Sequence, residues 1–188
     1  MKIKEIENVL TKQECEMLIE HSKNQLKKLT TVGSNNNYRV GDGTWIFSPV
    51  IYENVDINLK IKKLVVEQTS LPIENQEAIH VVNYKIGGEY KEHHDFFHAT
   101  SEDFKSHVSR GGQRSYSLLF YLNDDFDGGE TKFVKDNLII KPKQGKLLMW
   151  TNLNENGSLD YDSKHAGLPV LSGEKWIAIV WVRQNKFI

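Results

Sequence analysis

The chain has 188 residues, with 24 lysines and arginines against 25 acidic residues, seven histidines and a single cysteine, Cys15. That balance leaves no basic excess to track a phosphate backbone, so nucleic acid is not an expected partner, and one cysteine excludes an intramolecular disulfide. The length suits one domain over residues 1–188, with a core large enough to fold without staples.

The amino-terminal run MKIKEIENVLTKQE has no long apolar stretch after its charges, so neither a signal peptide nor a membrane span is expected. The reading is a soluble, cytoplasmic protein. Thr11-Lys-Gln-Glu14 has the spacing of a capping box, and Cys15, Leu18 and Ile19 continue as an apolar stripe, predicting a helix over about 11–27. Residues 30–37, with Gly33 and three consecutive asparagines, read as a loop, and 38–47 as a strand that Pro49 ends. Ile57, Ile61, Leu64 and Val65 give a second amphipathic helix over 55–69, starting near Asn54 or Asp56. The two helices are expected on one face of a sheet.

From Ala78 onward the sequence changes to short runs of Val, Ile, Tyr, Phe and Trp between Gly, Asn and Asp clusters. The clearest strands are 79–84, 90–96, 115–122, 131–134, 138–141, 145–151 and 175–183. Helices first and strands later, without βαβ alternation, predict a mainly β protein with some α. Residues 1–77 form a helical buttress with a strand, and 78–188 a jelly-roll core. Trp45, Trp150 and Trp176 are assigned to that core, and His80, among apolar strand neighbours, to a structural role. Residues 97–114 are polar and long for a hairpin connection, which suits a lid over a site or a plain insertion equally. Asp124, Asp125 and Asp127 could suggest a calcium loop, but the order NDDFDGG fits a turn better.

The chemistry concentrates in NYKIGGEYKEHHD, residues 83–95. His93 and Asp95 lie two apart, so on a strand both point to one face and can reach one metal ion, while His94 points away. A 2-His-1-carboxylate site needs a third ligand, for which His165 is the candidate. On the last strand Lys175, Ile177, Ile179, Trp181 and Arg183 share one face. A lysine alternating with isoleucine into an interior needs an anionic partner, which a bound carboxylate would supply.

At this point NYKIGGEYKEHHDF, RSYSLLFYLNDDFDGGETKF, KPKQGKLLMW and SKHAGLPVLSGEKWIAIVWVR together resemble the prolyl 4-hydroxylase branch of the iron(II)- and 2-oxoglutarate-dependent dioxygenases. ENVLTKQECEMLIE is similar to that family's leading helix. The resemblance implies a double-stranded β-helix (jelly-roll, cupin-like) core. It implies Fe(2+) held by His93, Asp95 and His165, and Lys175 paired with the distal carboxylate of 2-oxoglutarate. Tyr84 and Thr131 would hydrogen-bond that cosubstrate, and Tyr90, Arg114 and Trp181 would contact a peptidyl proline or close the site over it. O2 is the oxidant, and the resemblance leaves room for ascorbate. The implied reaction hydroxylates a proline in a peptide or protein while 2-oxoglutarate becomes succinate and CO2. Leu168 departs from the family pattern, where many members have cysteine. Two other functions stay open: the same chemistry on a small molecule or another side chain, and a non-catalytic jelly-roll binding module. A lack of targeting signals resembles bacterial or viral stand-alone members.

Overall fold

The computed structural model describes residues 1–29, 38–101 and 103–188, so the loop expected over 30–37 lies outside the described residues. Two antiparallel sheets make the body. The larger runs Ile3–Ile6, Leu147–Thr151, Arg114–Tyr121, Lys175–Arg183, Ile79–Tyr84, Asp42–Ile46 and Lys27–Lys28 in spatial order. The smaller runs Leu138–Ile140, Thr131–Phe133, His165–Gly167, Glu89–His93 and Arg39–Val40. From Ile79 the chain passes back and forth between the two sheets, which is the double-stranded β-helix expected from the sequence.

The period of the last strand decides what each sheet face does. Ile177, Ile179 and Trp181 pack with Tyr121, Trp150 and Phe133 in a core between the sheets. Trp176, Ala178, Val180 and Val182 alternate onto the other face, where they meet the helices. Both helices lie there, Lys12–Lys23 through Cys15 and Leu18, and Ile57–Thr69 through Ile57, Ile61 and Val65. The first helix starts on the capping box read from the sequence: Glu14 N–H donates to the Thr11 hydroxyl at 3.2 Å and Thr11 N–H to the Glu14 carboxylate at 2.8 Å. It stops at Lys23, short of the expected 27, because Lys27–Lys28 leave to pair with Asp42–Gly43. Asp56 caps the second helix, accepting from Leu59 N–H at 3.3 Å.

Several expectations differ from the structure. Residues 1–77 supply more than one strand: Ile3–Ile6 and Asp42–Ile46 extend the larger sheet, and Arg39–Val40 edges the smaller one. Ile3–Ile6 escaped notice because it is short, charged in the middle, and splits its two isoleucines between the two cores. The 97–114 segment contains a helix, Phe104–Ser109. Trp45 is not a core residue, being 38% exposed on the inner face of the larger sheet, whereas Trp150 is fully buried. The acidic turn is spent on structure: Asp124 accepts from Gln144 N–H at 3.0 Å and Asp127 from the Ser172 hydroxyl at 2.7 Å.

Candidate functional site

The two sheets bring the three expected ligands together. His93 ends its strand and pairs with His165 across the smaller sheet. Asp95 sits in a bend just past that strand, not within the expected 90–96 strand. The bend still delivers it to the same side, so the ligand atoms of His93, Asp95 and His165 all lie within 4.8 Å of one another. His93 Nε2 is 3.7 Å from one Asp95 oxygen and His165 Nε2 is 3.8 Å from the other.

Backbone carbonyls fix the tautomers. His93 Nδ1 meets the Lys91 carbonyl at 2.7 Å and His165 Nδ1 meets the Ser163 carbonyl at 2.9 Å. A carbonyl only accepts, so Nδ1 carries the proton in each ring and Nε2 turns a lone pair toward Asp95. Burial, and then the neighbouring His165, hold His93 well below the usual imidazole range, so it stays neutral. Burial alone would raise the Asp95 carboxyl; His165, His93, Arg114 and the Ser117 hydroxyl together bring it down to about 2. Ser117 donates at 2.6 Å to the Asp95 oxygen that faces His165 and in turn accepts from Asn152 at 2.8 Å, which fixes the carboxylate with its other oxygen toward His93. Two imidazole lone pairs and a carboxylate on one side of an open space fit a divalent iron with positions left over. His94 turns outward, its Nε2 meeting the Tyr161 carbonyl at 3.1 Å and its ring stacking on Phe96.

Behind this cluster lies a cavity lined by Tyr84, Thr131, Trp150, His165, Lys175 and Ile177. Lys175 is 2% exposed, and among the described residues its only hydrogen bond is to the Gly129 carbonyl at 2.6 Å. Burial pushes its ammonium down to about 8, against a smaller upward pull from Glu130. A lysine with unused donors in an apolar cavity is the chemistry a dicarboxylate requires. Thr131 shares a hydrogen bond of 2.7 Å with the Tyr121 hydroxyl, and Tyr84 accepts from Arg39 Nε at 3.2 Å.

In front of the cluster an open groove of about 960 Å³ carries Arg39, Tyr90, Phe97, Arg114 and Trp181 on its walls. Tyr90 stacks on His93 with ring centroids 3.4 Å apart, and the Arg39 guanidinium lies 4.5 Å above the same tyrosine ring. Arg114 sits 3.8 Å over the Trp181 ring and is moored by Glu77, to which its Nε and Nη2 donate at 2.6 and 2.8 Å. Arg183 donates to the same carboxylate at 2.6 Å and to the Gly112 carbonyl at 2.7 Å, which ties the return of the 97–114 segment to the last strand.

The structure thus assembles His93, Asp95, His165, Lys175, Tyr84 and Thr131 around one space and Tyr90, Arg114 and Trp181 at its mouth. Sequence reasoning missed Arg39, Glu77, Ser117, Tyr121 and Asn152. Only alternation could have signalled any of them: Ser117 and Tyr121 share an inward face of their strand with Leu119, as the core they line requires.

Residues 79–183 match the model of the 2OG-Fe(II) oxygenase superfamily. Prolyl 4-hydroxylase 5 of Arabidopsis thaliana is 32% identical over 203 residues, covering 96% of this chain and 67% of the relative. The viral collagen prolyl hydroxylase of Paramecium bursaria Chlorella virus 1, solved with 2OG, superposes with a TM-score of 0.75 at 27% identity over 97% of this chain and 96% of that one. A Pseudomonas putida prolyl-4-hydroxylase shares the fold, with a TM-score of 0.66 at 20% identity over 97% and 92% of the two chains. Matched over its β core by the family model and over nearly its whole length by prolyl hydroxylases, the chain belongs to the 2OG-Fe(II) oxygenase superfamily, in its prolyl 4-hydroxylase family.

Proposed function

We propose that this protein is an iron(II)- and 2-oxoglutarate-dependent dioxygenase that hydroxylates a proline within a peptide or protein, coupled to decarboxylation of 2-oxoglutarate to succinate and CO2. The observation that carries this reading is the His93, Asp95 and His165 cluster at the floor of an open groove, with a buried Lys175 behind it that, among the described residues, meets only the Gly129 carbonyl. A groove of about 960 Å³ suits an extended peptide better than a closed metabolite pocket would.

His93 Nε2, His165 Nε2 and one Asp95 oxygen would hold the iron from one side. When bound, iron and 2-oxoglutarate supply the oxidising chemistry that places one oxygen atom of O2 in the substrate C–H bond. The protein's own residues do the rest. Lys175 pairs with the distal carboxylate, which compensates its ammonium for the hydration that burial removes. Tyr84 and Thr131 offer hydroxyls to the same carboxylate from opposite walls, Thr131 held by Tyr121. Trp150, Ile177 and Ile179 keep water from the reacting space. Tyr90, fixed by stacking on His93, and Trp181, fixed under Arg114, border the space for the target proline.

The test is incubation with iron(II), 2-oxoglutarate and a proline-rich peptide, reading succinate and hydroxyproline together. Equal amounts of both are expected. Succinate formation that no proline peptide stimulates, alongside stimulation by a small amine or amino acid, would overturn the peptide reading.

A further inference from the structure

Arg39 stands where the groove and the rear cavity meet. It is the register partner of Tyr90 in the smaller sheet, whereas Asp42, three residues on, is already the partner of Asn83 in the larger one. At this crossing Arg39 lines both the groove in front of the metal cluster and the cavity behind it. Its guanidinium carbon lies 4.5 Å over the Tyr90 ring, while its Nε–H donates to the Tyr84 hydroxyl at 3.2 Å. Gly41 keeps this stretch of chain close to Tyr84, because a Cβ there would come within 2.8 Å of the tyrosine ring.

The contact with Tyr84 fixes a proton. A guanidinium has no acceptor, so the phenol oxygen receives from Arg39, and its own single proton must turn away from it. Tyr84 and Lys175 are register partners on neighbouring strands and line the same cavity, with Lys175 Nζ 5.6 Å from the centre of the Tyr84 ring. Among the described residues the arginine–carboxylate pairs are those of Arg114 and Arg183 with Glu77, so no carboxylate neutralises Arg39. A phenol that accepts from an unneutralised cation is a better donor than a free one, since hydrogen bonds in a chain polarise each other.

We propose that Arg39 is a positioning residue for the cosubstrate: by occupying the Tyr84 oxygen it turns the phenol proton toward the distal carboxylate of 2-oxoglutarate and strengthens that donor. This rests on the reading above, in which the rear cavity holds 2-oxoglutarate. Arg39 acts through Tyr84 and not on the carboxylate, which separates its role from that of Lys175.

The experiment titrates 2-oxoglutarate into the full chain loaded with iron(II) under argon, where nothing turns over, and reads affinity by calorimetry. Arg39→Met, which keeps an unbranched side chain but neither donor nor charge, should weaken binding about five- to tenfold, the worth of one lost hydrogen bond. Tyr84→Phe should weaken it about 10- to 100-fold, because a hydrogen bond to a charged group is lost. The double variant decides: once the phenol is gone, Arg39→Met should change affinity by less than about twofold. Arg39→Lys, which still offers a donor and a positive charge to the Tyr84 oxygen, should recover most of the parent affinity. Melting curves show whether each variant is folded, and Arg39→Gln takes the place of Arg39→Met should that variant not fold. Parent-like affinity in Arg39→Met overturns the proposal. So does a loss repeated in full on the Tyr84→Phe background, since Arg39 would then act on the ligand or on the cavity wall without Tyr84. Either result leaves the cosubstrate reading in place if Lys175→Met still loses affinity; a parent protein that binds no 2-oxoglutarate overturns that reading and the proposal with it.

Discussion

Replacing Lys175 by methionine separates what the buried ammonium costs the fold from what it contributes to the cosubstrate. Lys175 is buried, hydrogen-bonds only to the Gly129 carbonyl among the described residues, and has its ordinary value of 10.5 lowered to about 8. At 1.36 kcal/mol per pH unit, that drop means the charged side chain costs the empty folded state about 3 kcal/mol near pH 7. Methionine removes the charge but also forgoes the bond to Gly129, worth about 1 kcal/mol, so the empty variant should be about 2 kcal/mol more stable than the parent. The sign follows from proton counts. Between about 8 and 10.5 the unfolded chain holds a proton on Lys175 that the folded chain lacks, so parent stability rises with pH through this window. The advantage of the variant should therefore shrink between pH 7 and pH 10. Urea unfolding of both proteins at several pH values measures it. Binding should move the opposite way. Losing one partner of a desolvated charge pair costs roughly 2–5 kcal/mol, or about 30-fold to several thousand-fold in 2-oxoglutarate affinity by calorimetry. In the parent, affinity should fall about tenfold per pH unit above about 8, as the ammonium must be re-protonated to pair; in the variant this slope is gone. A variant that is less stable at every pH and binds 2-oxoglutarate as the parent does would refute the assignment of Lys175 to the cosubstrate.

Other outcomes follow from the same geometry. His93→Ala and His165→Ala should abolish turnover and iron binding, while His94→Ala, whose ring meets Tyr161 and Phe96, keeps most of both; comparable loss for His94 would mean the wrong histidine of the doublet was chosen. Ser117→Ala removes the 2.6 Å donor that aims Asp95, and iron affinity by competition titration should weaken by about 10- to 100-fold. Glu77→Gln leaves Arg114 and Arg183 without their shared carboxylate in a buried setting, and chemical unfolding should show a loss of about 3–5 kcal/mol. The peptide KM should rise with it, since Arg114 loses its mooring over Trp181; unchanged stability would mean that solvent reaches this cluster.

The strand period made much of the site legible. Lys175 was readable as an inward charge because Ile177 and Ile179 flank it at every second residue, and the two faces of Lys175–Arg183 separate into the two cores as alternation requires. His93 and Asp95 were readable as a pair by the same rule, although a bend, not a strand, delivers Asp95. His165 carried no local signal beyond its position before the last strand; the family resemblance assigned it. What stayed hidden depends on sheet pairing across long separations. Ser117 reaches Asp95 from 22 residues away, and Arg183 reaches Glu77 from 106. Trp45 looked like core because tryptophan is mostly buried, but it is 38% exposed and lines the groove. Arg39 was one charge in a strand until the fold laid it over Tyr90 and beside Tyr84.

The central claim is that His93, Asp95 and His165 make a single iron site that serves 2-oxoglutarate-driven hydroxylation of proline. The most direct measurement is turnover of a proline-rich peptide under 18O2 by the iron-loaded protein, with products analysed by mass spectrometry. One labelled oxygen should appear in the proline and one in succinate, in equal amounts, and both should vanish in His165→Ala. Label in succinate alone with every proline peptide, or labelled proline that persists in His165→Ala, would contradict it.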